Sequence, residues 1–218
     1  MVITIDGPSG VGKSTVSRLV AERLGLAYLD TGATYRAATL AVLETGIDTH
    51  DEQAVLEEVN RRAIGYDQRG ILLDDESVAV AVRSEDVTAN VSTVSAHPAV
   101  RTAVVEMQRQ WVAFHDSQVV VEGRDIGTVV FPEAPLKIYL TASPSVRAVR
   151  RAAETEAGGK SVEDITEALA ARDHADSTRK TSPLRPADDA LIIDTGNLTV
   201  EEVVQVILKR LSGDPNLQ

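Results

Sequence analysis

The feature that most restricts what this chain can fold into is a short apolar run that breaks into a glycine-rich turn: Val2-Ile3-Thr4-Ile5-Asp6, then Gly7-Pro8-Ser9-Gly10-Val11-Gly12-Lys13-Ser14. Beyond it, Val16, Leu19, Val20 and Leu24 recur at the spacing of one helix face until Gly25 closes the helix. Strand, loop and helix therefore follow in that order. The loop fits G-x-x-x-x-G-K-[ST], in which glycines let backbone N–H groups turn inward on a phosphate and the helix N-terminus adds partial positive charge. A nucleoside triphosphate site is expected over Gly7, Pro8, Ser9, Gly10, Val11, Gly12, Lys13, Ser14 and Thr15. In that reading Lys13 reaches the β- and γ-phosphates and the Ser14 hydroxyl binds Mg²⁺.

What receives the phosphate must come from the rest of the chain. Its 218 residues suit one globular domain, and 43% hydrophobic with 25% charged residues suits an ordinary folded protein. Without cysteine there is neither a disulfide framework nor a thiolate metal site. A formal net charge of −11 argues against the broad basic surface of a nucleic-acid binder. No apolar run approaches membrane-spanning length, and the first is too short for a signal peptide. A cytoplasmic monomer with no membrane or nucleic-acid partner is expected.

Further strands are predicted at Leu26–Asp30, Gln118–Glu122, Leu136–Leu140 and Ala190–Asp194, separated by helical segments. Five apolar strands alternating with helices imply a parallel sheet covered on both faces. Ligands of such sheets gather at the carboxyl ends of the strands. Gly7 to Ser14, Asp30 to Arg36 and Glu122 to Asp125 all follow strands. Between them, an alanine-rich segment over about 36–46 and an acidic helix from Asp51 to Arg62 precede two strands, 63–67 and 71–74, around a turn at Gly70. From His97-Pro98 a long helix carries Val100, Val104, Met107, Trp111 and Phe114 on one expected core face. Ser143-Pro144 opens a helix, Ser161 with Asp164 opens another reaching about Asp173, and Thr199 with Glu202 forms a capping box for the last.

Arginines fall into two sets. Arg36, Arg101 and Arg124 lie on the expected acceptor side, while Arg147, Arg150, Arg151, Arg172 and Arg179 fall between Pro144 and Pro183. Arg147, Arg150 and Arg151 are spaced i, i+3, i+4, so one helix face presents three guanidiniums, with Gly158-Gly159 as a flexible tip. Beside a phosphate loop this reads as a lid, since an arginine on the moving phosphoryl group contributes about 10³ to 10⁵ in rate.

Glu122-Gly123-Arg124-Asp125-Ile126-Gly127-Thr128 through Phe131-Pro132, with Ile5 to Ser14, Leu29-Asp30-Thr31-Gly32-Ala33, Tyr35-Arg36, Arg172-Asp173, Asp176, Arg179 and Pro183-Leu184 in the same order, resembles the bacterial cytidylate kinases. The resemblance spans nearly the whole chain. It implies a P-loop nucleoside monophosphate kinase fold: a central five-stranded parallel sheet flanked by helices, an inserted monophosphate-binding subdomain containing a β-hairpin, and a helical lid. The core would cover about 1–36, 97–143 and 184–218, the insertion about 37–96 and the lid about 144–183. Arg36 and Arg124 would hold the acceptor's α-phosphate, and Ser92, Arg101 and Asp125 would face cytosine. Arg172 and Asp176 would lie near ribose and phosphate, Arg179 close to the acceptor, and Thr31 and Tyr35 among the acceptor residues. Lys13, Arg124, Arg147, Arg151 and Arg179 would be the catalytic cations. The implied ligands are ATP, Mg²⁺ and CMP or dCMP.

Chemistry agrees with that assignment, because cytosine offers an exocyclic N4–H₂ donor that a carboxylate accepts, whereas uracil places a carbonyl there. His50, His97, His115 and His174 are scattered, and no general base is needed for an anionic phosphate nucleophile. Asp6 or Glu122 could hold Mg²⁺ through water. A kinase for another monophosphate or for shikimate shares the loop and lid. A GTP-dependent switch lacks its guanine-reading N-K-x-D sequence here.

Overall fold

A run such as Val119-Val120-Val121 has no polar face, so a strand made from it is stable only when covered on both sides. The computed structural model, which describes residues 1–67, 70–154 and 161–213, buries it completely. In chain order the elements are β1 (Val2–Asp6), α1 (Lys13–Leu24), β2 (Ala27–Asp30), α2 (Thr31–Glu44), α3 (Glu52–Arg61), β3 (Ile64–Asp67), β4 (Gly70–Leu73) and β5 (Glu76–Ser77). They continue with α4 (Glu85–Ala96), α5 (Pro98–Phe114), β6 (Val119–Gly123), a π-helical turn Ile126–Val130, β7 (Leu136–Thr141), α6 (Pro144–Glu154), α7 (Val162–Thr178), β8 (Leu191–Asp194) and α8 (Val200–Leu211). The five expected strands form one sheet in the order β2-β6-β1-β7-β8. β1 lies between β6 and β7, parallel to both, which sets Asp6 beside Gly123 and Tyr139 at the carboxyl ends.

The chain packs as two compact units. One comprises Met1–Leu29 with His115–Gln218. Its core joins Ile3, Ile5 and Ile138 of the sheet to Val16 and Val20 of α1 and Ile207 of α8. The other is Asp30–Phe114, in which α2, α3, α4 and α5 share a valine- and alanine-rich core that includes Val42, Val59, Val94 and Val104. Its small antiparallel sheet, β3-β4-β5, contains the expected hairpin and adds the two-residue β5. This unit takes in α2's start and α5, segments that the sequence assigns to the core.

Local differences from the sequence reading have local causes. Helix α2 starts at Thr31, not near 36, because the Asp30 side chain accepts the Ala33 N–H at 3.0 Å and caps it. Thr31, Tyr35 and Arg36 are therefore helical. Helix α4 was missed although Ser84 accepts from Val87 N and Glu85 and Asp86 fill its first turn, the ordinary signs of a helix start. Helix α7 carries the expected Ser161–Asp164 capping box but runs on to Thr178, so Arg172, Asp173 and Asp176 share one helix. Phe114, expected in the core, is 84% exposed at the last residue of α5. Trp111 is half-buried and packs edge-on to Tyr66 at 6.1 Å.

Ile138 sits in β7 between β1 and β8 with 1% of its surface exposed. Ile138→Ala should lower unfolding free energy by about 2–5 kcal/mol, measured by urea denaturation.

Candidate active site

The phosphate loop can follow its path only because its glycines lack a Cβ. Gly7 has φ +147°, and a Cβ there would lie 2.2 Å from the Leu140 carbonyl oxygen of β7. Gly10 and Gly12 then turn the backbone at φ +82° and +89° into the first turn of α1. Lys13, the first helical residue, is buried, and its Nζ donates to the Pro8 carbonyl at 2.6 Å. Burial drives the Lys13 pKa well below the usual lysine range, Arg124 and Arg172 push it further down, and Glu122 and Asp6 pull it back. A polyphosphate tail would offset that crowding of cations. Val11 packs into the core, while Ser14 and Thr15 are exposed on the first turn.

Glu122, near the carboxyl end of β6, accepts on one oxygen from both Ser14 Oγ (2.7 Å) and Tyr28 OH (2.8 Å). A hydroxyl and a carboxylate side by side at the head of the loop are the hard oxygen donors that Mg²⁺ takes. The two oxygens of Asp6 accept from Ile126 N (2.9 Å) and Gly127 N (2.8 Å). Among the described residues no group of three or more His, Asp or Glu forms a metal-binding cluster.

The expected three-arginine face resolves into different jobs. Arg147 is 6% exposed; it donates to the Ser9 carbonyl at 3.1 Å and to Ala142 O at 3.2 Å, and pairs with Asp173 of α7. Asp173 also accepts from Ser9 N at 3.4 Å, so α6 and α7 together grip the loop at one residue. Arg150 donates instead to Thr195 Oγ1 (2.9 Å) and Thr195 O (2.7 Å), and Thr195 Oγ1 reaches Val11 O at 3.2 Å. Arg150 is thus a brace for the segment after β8. Arg151 lies half-buried one residue on. Gly158-Gly159 fall outside the described residues.

Arg124 follows β6 and donates to Asp176 at 2.8 Å and to the Gly7 carbonyl at 3.1 Å. Arg179 lies 3.5 Å from the other Asp176 oxygen. Burial works to raise the Asp176 pKa, but Arg124 and Arg179 outweigh it and hold the carboxyl below its usual range. Arg172 acts on Lys13 through its charge. Asp125 is buried at the start of the π-helical turn. Within the Asp30–Phe114 unit, Thr31 is buried and Arg36 half-buried on α2, and the Arg101 guanidinium lies over the Tyr35 ring at 5.2 Å. Arg101 also donates to Ser95 O at 3.2 Å, and Ser95 Oγ donates to the carbonyl of half-buried Ser92 at 3.3 Å. Sequence reasoning gave no role to Asp173, Tyr28 or Thr195. Asp173 and Tyr28 stood in runs it quoted, Thr195 in none. Of the histidines, His97 bonds the Thr49 carbonyl through Nε2 at 2.8 Å.

A parallel sheet with a glycine-built loop and a buried lysine between β1 and α1 defines a P-loop nucleotide-binding protein. Residues 3–212 match the model of the family described as cytidylate kinase, and the chain belongs to that family. It is 48% identical to a cytidylate kinase of Streptomyces avermitilis, over 95% of this chain and 91% of the other. A cytidylate kinase of Mycobacterium leprae is 52% identical over 94% and 92%. An uncharacterised protein from Eubacterium ventriosum shares the fold at TM-score 0.56 and 11% identity, with 98% of each chain covered. Among the described residues no helix is long and apolar enough to cross a membrane.

Burial pushes the Asp6 carboxyl from 3.8 up to about 6, against the pull of its bonds from Gly127 and Ile126. Between those values the folded chain keeps a proton that the unfolded chain has released. Stability from this group is therefore complete below about pH 4 and lost as pH rises through about 6, a change of about 3 kcal/mol. Denaturant titrations should show Asp6→Asn gaining on the wild type across that window; a difference independent of pH would contradict the raised value.

Proposed function

We propose that the enzyme transfers the γ-phosphoryl group of ATP to CMP or dCMP, releasing ADP and CDP or dCDP. The observation that carries the reading is the cation cluster of Lys13, Arg124 and Arg172 at the phosphate loop, where burial makes anion neutralisation worth most. Phosphoryl transfer needs positioning and charge neutralisation more than proton chemistry. The loop amides of Gly7 to Thr15 and Lys13 hold the donor's β- and γ-phosphates. Ser14 and Glu122 would hold Mg²⁺, which when bound screens the phosphate charge. Arg147, gripped against Ser9, and Arg151 neutralise charge from the α6–α7 side, and Arg179 acts with them near the acceptor.

The acceptor's own phosphate oxygen is the nucleophile. Arg36 and Arg124 hold its α-phosphate, Arg172 and Asp176 attend the ribose and phosphate, and Thr31 and Tyr35 complete that set. Asp125 accepts from cytosine N4–H₂, Arg101 donates to the ring acceptors N3 and O2, and Ser92 faces the base. Arg101 is prepared for this by its stacking on Tyr35 and its bond to Ser95 O. The enzyme acts as a monomer in the cytoplasm, on small nucleotides.

Uracil would set a carbonyl against Asp125, leaving a buried acceptor unmatched at a cost of about 1–3 kcal/mol or more. A coupled assay of ADP release over CMP, dCMP, UMP, AMP and shikimate should give CMP and dCMP at least about fivefold higher kcat/KM than UMP. Asp125→Ala should narrow that gap. Equal turnover of UMP, or preference for AMP or shikimate, would overturn the reading.

A further inference from the structure

Asp125 occupies the N-cap position of the π-helical turn Ile126–Val130, where an aspartate ordinarily accepts an N–H from the second or third residue of its own helix. It makes no such cap. The first two N–H groups of the turn donate instead to Asp6, at 2.9 Å from Ile126 to one oxygen and 2.8 Å from Gly127 to the other. Asp6 is the last residue of β1 and is 4% exposed. It caps a turn 120 residues away in sequence.

Two further observations place the same segment against β1 and the residue that follows it. A Cβ on Gly127 would fall 2.9 Å from Thr4 Oγ1 and 3.3 Å from the Lys137 side chain, so the backbone lies as close to β1 as a glycine allows. Arg124 donates to the carbonyl of Gly7, the residue that follows Asp6. The strand end that launches the phosphate loop is thus also the anchor of the segment bearing Arg124 and Asp125. Buried in this place, a carboxylate is an expensive cap at neutral pH, since burial opposes its charge. A neutral cap would serve the fold alone at lower cost, whereas a bidentate carboxylate fixes two amides at once.

We infer that Asp6 is a positioning residue for phosphoryl transfer: by capping the Ile126–Val130 turn it sets Arg124 and Asp125 at a fixed distance from the phosphate loop. The inference rests on the acceptor reading of those two residues given above. It assigns Asp6 no contact with either nucleotide. Displacement of the segment by even about 1 Å would cost on the order of 10²-fold in rate if it carries acceptor groups.

Asp6→Asn keeps the shape but offers only one acceptor oxygen, turning an N–H₂ toward one of the two amides. Three measurements on the full chain test the role: hydrogen exchange at the Ile126 and Gly127 amides, affinity for ATP without acceptor, and steady-state kinetics with each monophosphate. Expected are faster exchange at those two amides, ATP affinity within about threefold of wild type, and a KM for the preferred acceptor raised about tenfold or more with reduced discrimination between bases. Unchanged acceptor KM and discrimination would overturn the role, as would a fall in ATP affinity in step with that for the acceptor. Gly127→Ala leaves the carboxylate intact and pushes the segment off β1, so it should reproduce the acceptor defect; a normal acceptor KM in that variant also overturns the inference. The acceptor reading fails separately, on a wild type that does not prefer CMP or dCMP, because the Asp6 test uses whichever acceptor the wild type prefers.

Discussion

A positive charge carried into the interior constrains everything else in the sheet-bearing unit. Lys13 begins α1 where the backbone has just been turned by glycines, and it is buried beside Arg124 and Arg172. A buried charge is tolerated when neighbours compensate it. Glu122 and Asp6 do so in part, yet the balance still leaves lysine easier to deprotonate than in water. Chemistry follows from that imbalance. A group that brings several negative charges to the head of α1 is stabilised there, and the helix N-terminus adds to the attraction.

The surrounding structure holds that arrangement from three sides, each tied to the end of a strand or to a helix beside one. Arg147 and Asp173, from α6 and α7, meet at Ser9. Thr195, just past β8, bonds to Val11 and is itself held by Arg150. Asp6, at the end of β1, holds the turn after β6. Parallel strands bring these ends together because each crossover returns the chain in the same direction. Side-chain ties between sequence-distant ends then fix positions that the backbone ladder alone leaves loose. The same economy of short ties appears in the Asp30–Phe114 unit, where Arg101 is steadied by an aromatic face and one carbonyl.

Much of this was legible in residue pattern. The loop motif, the five apolar strands and two capping boxes state their structure locally, so Gly7 to Ser14, β6 and the starts of α7 and α8 fall where periodicity puts them. Cap residues were read less well: Asp30 and Ser84 start helices that were set late or missed, because an aspartate or serine in a polar stretch also suits a turn. Side-chain direction was not legible at all. Helical spacing placed Arg147, Arg150 and Arg151 on one face, but long side chains reach different partners from one face, and Arg150 goes to Thr195 while Arg147 goes to Ser9. The bonds of Asp6 to the amides of the next turn were not legible either, because they depend on the three-dimensional register of β1 beside Gly123.

Titrating the Lys13 ammonium by NMR, with Lys13→Arg to assign its signal, tests the electrostatic account most directly. In the free protein it should deprotonate well below the ordinary lysine range, and binding of a nonhydrolysable ATP analogue should move that transition upward. A Lys13 that titrates as lysine does in water without nucleotide, or whose transition nucleotide leaves in place, would contradict it.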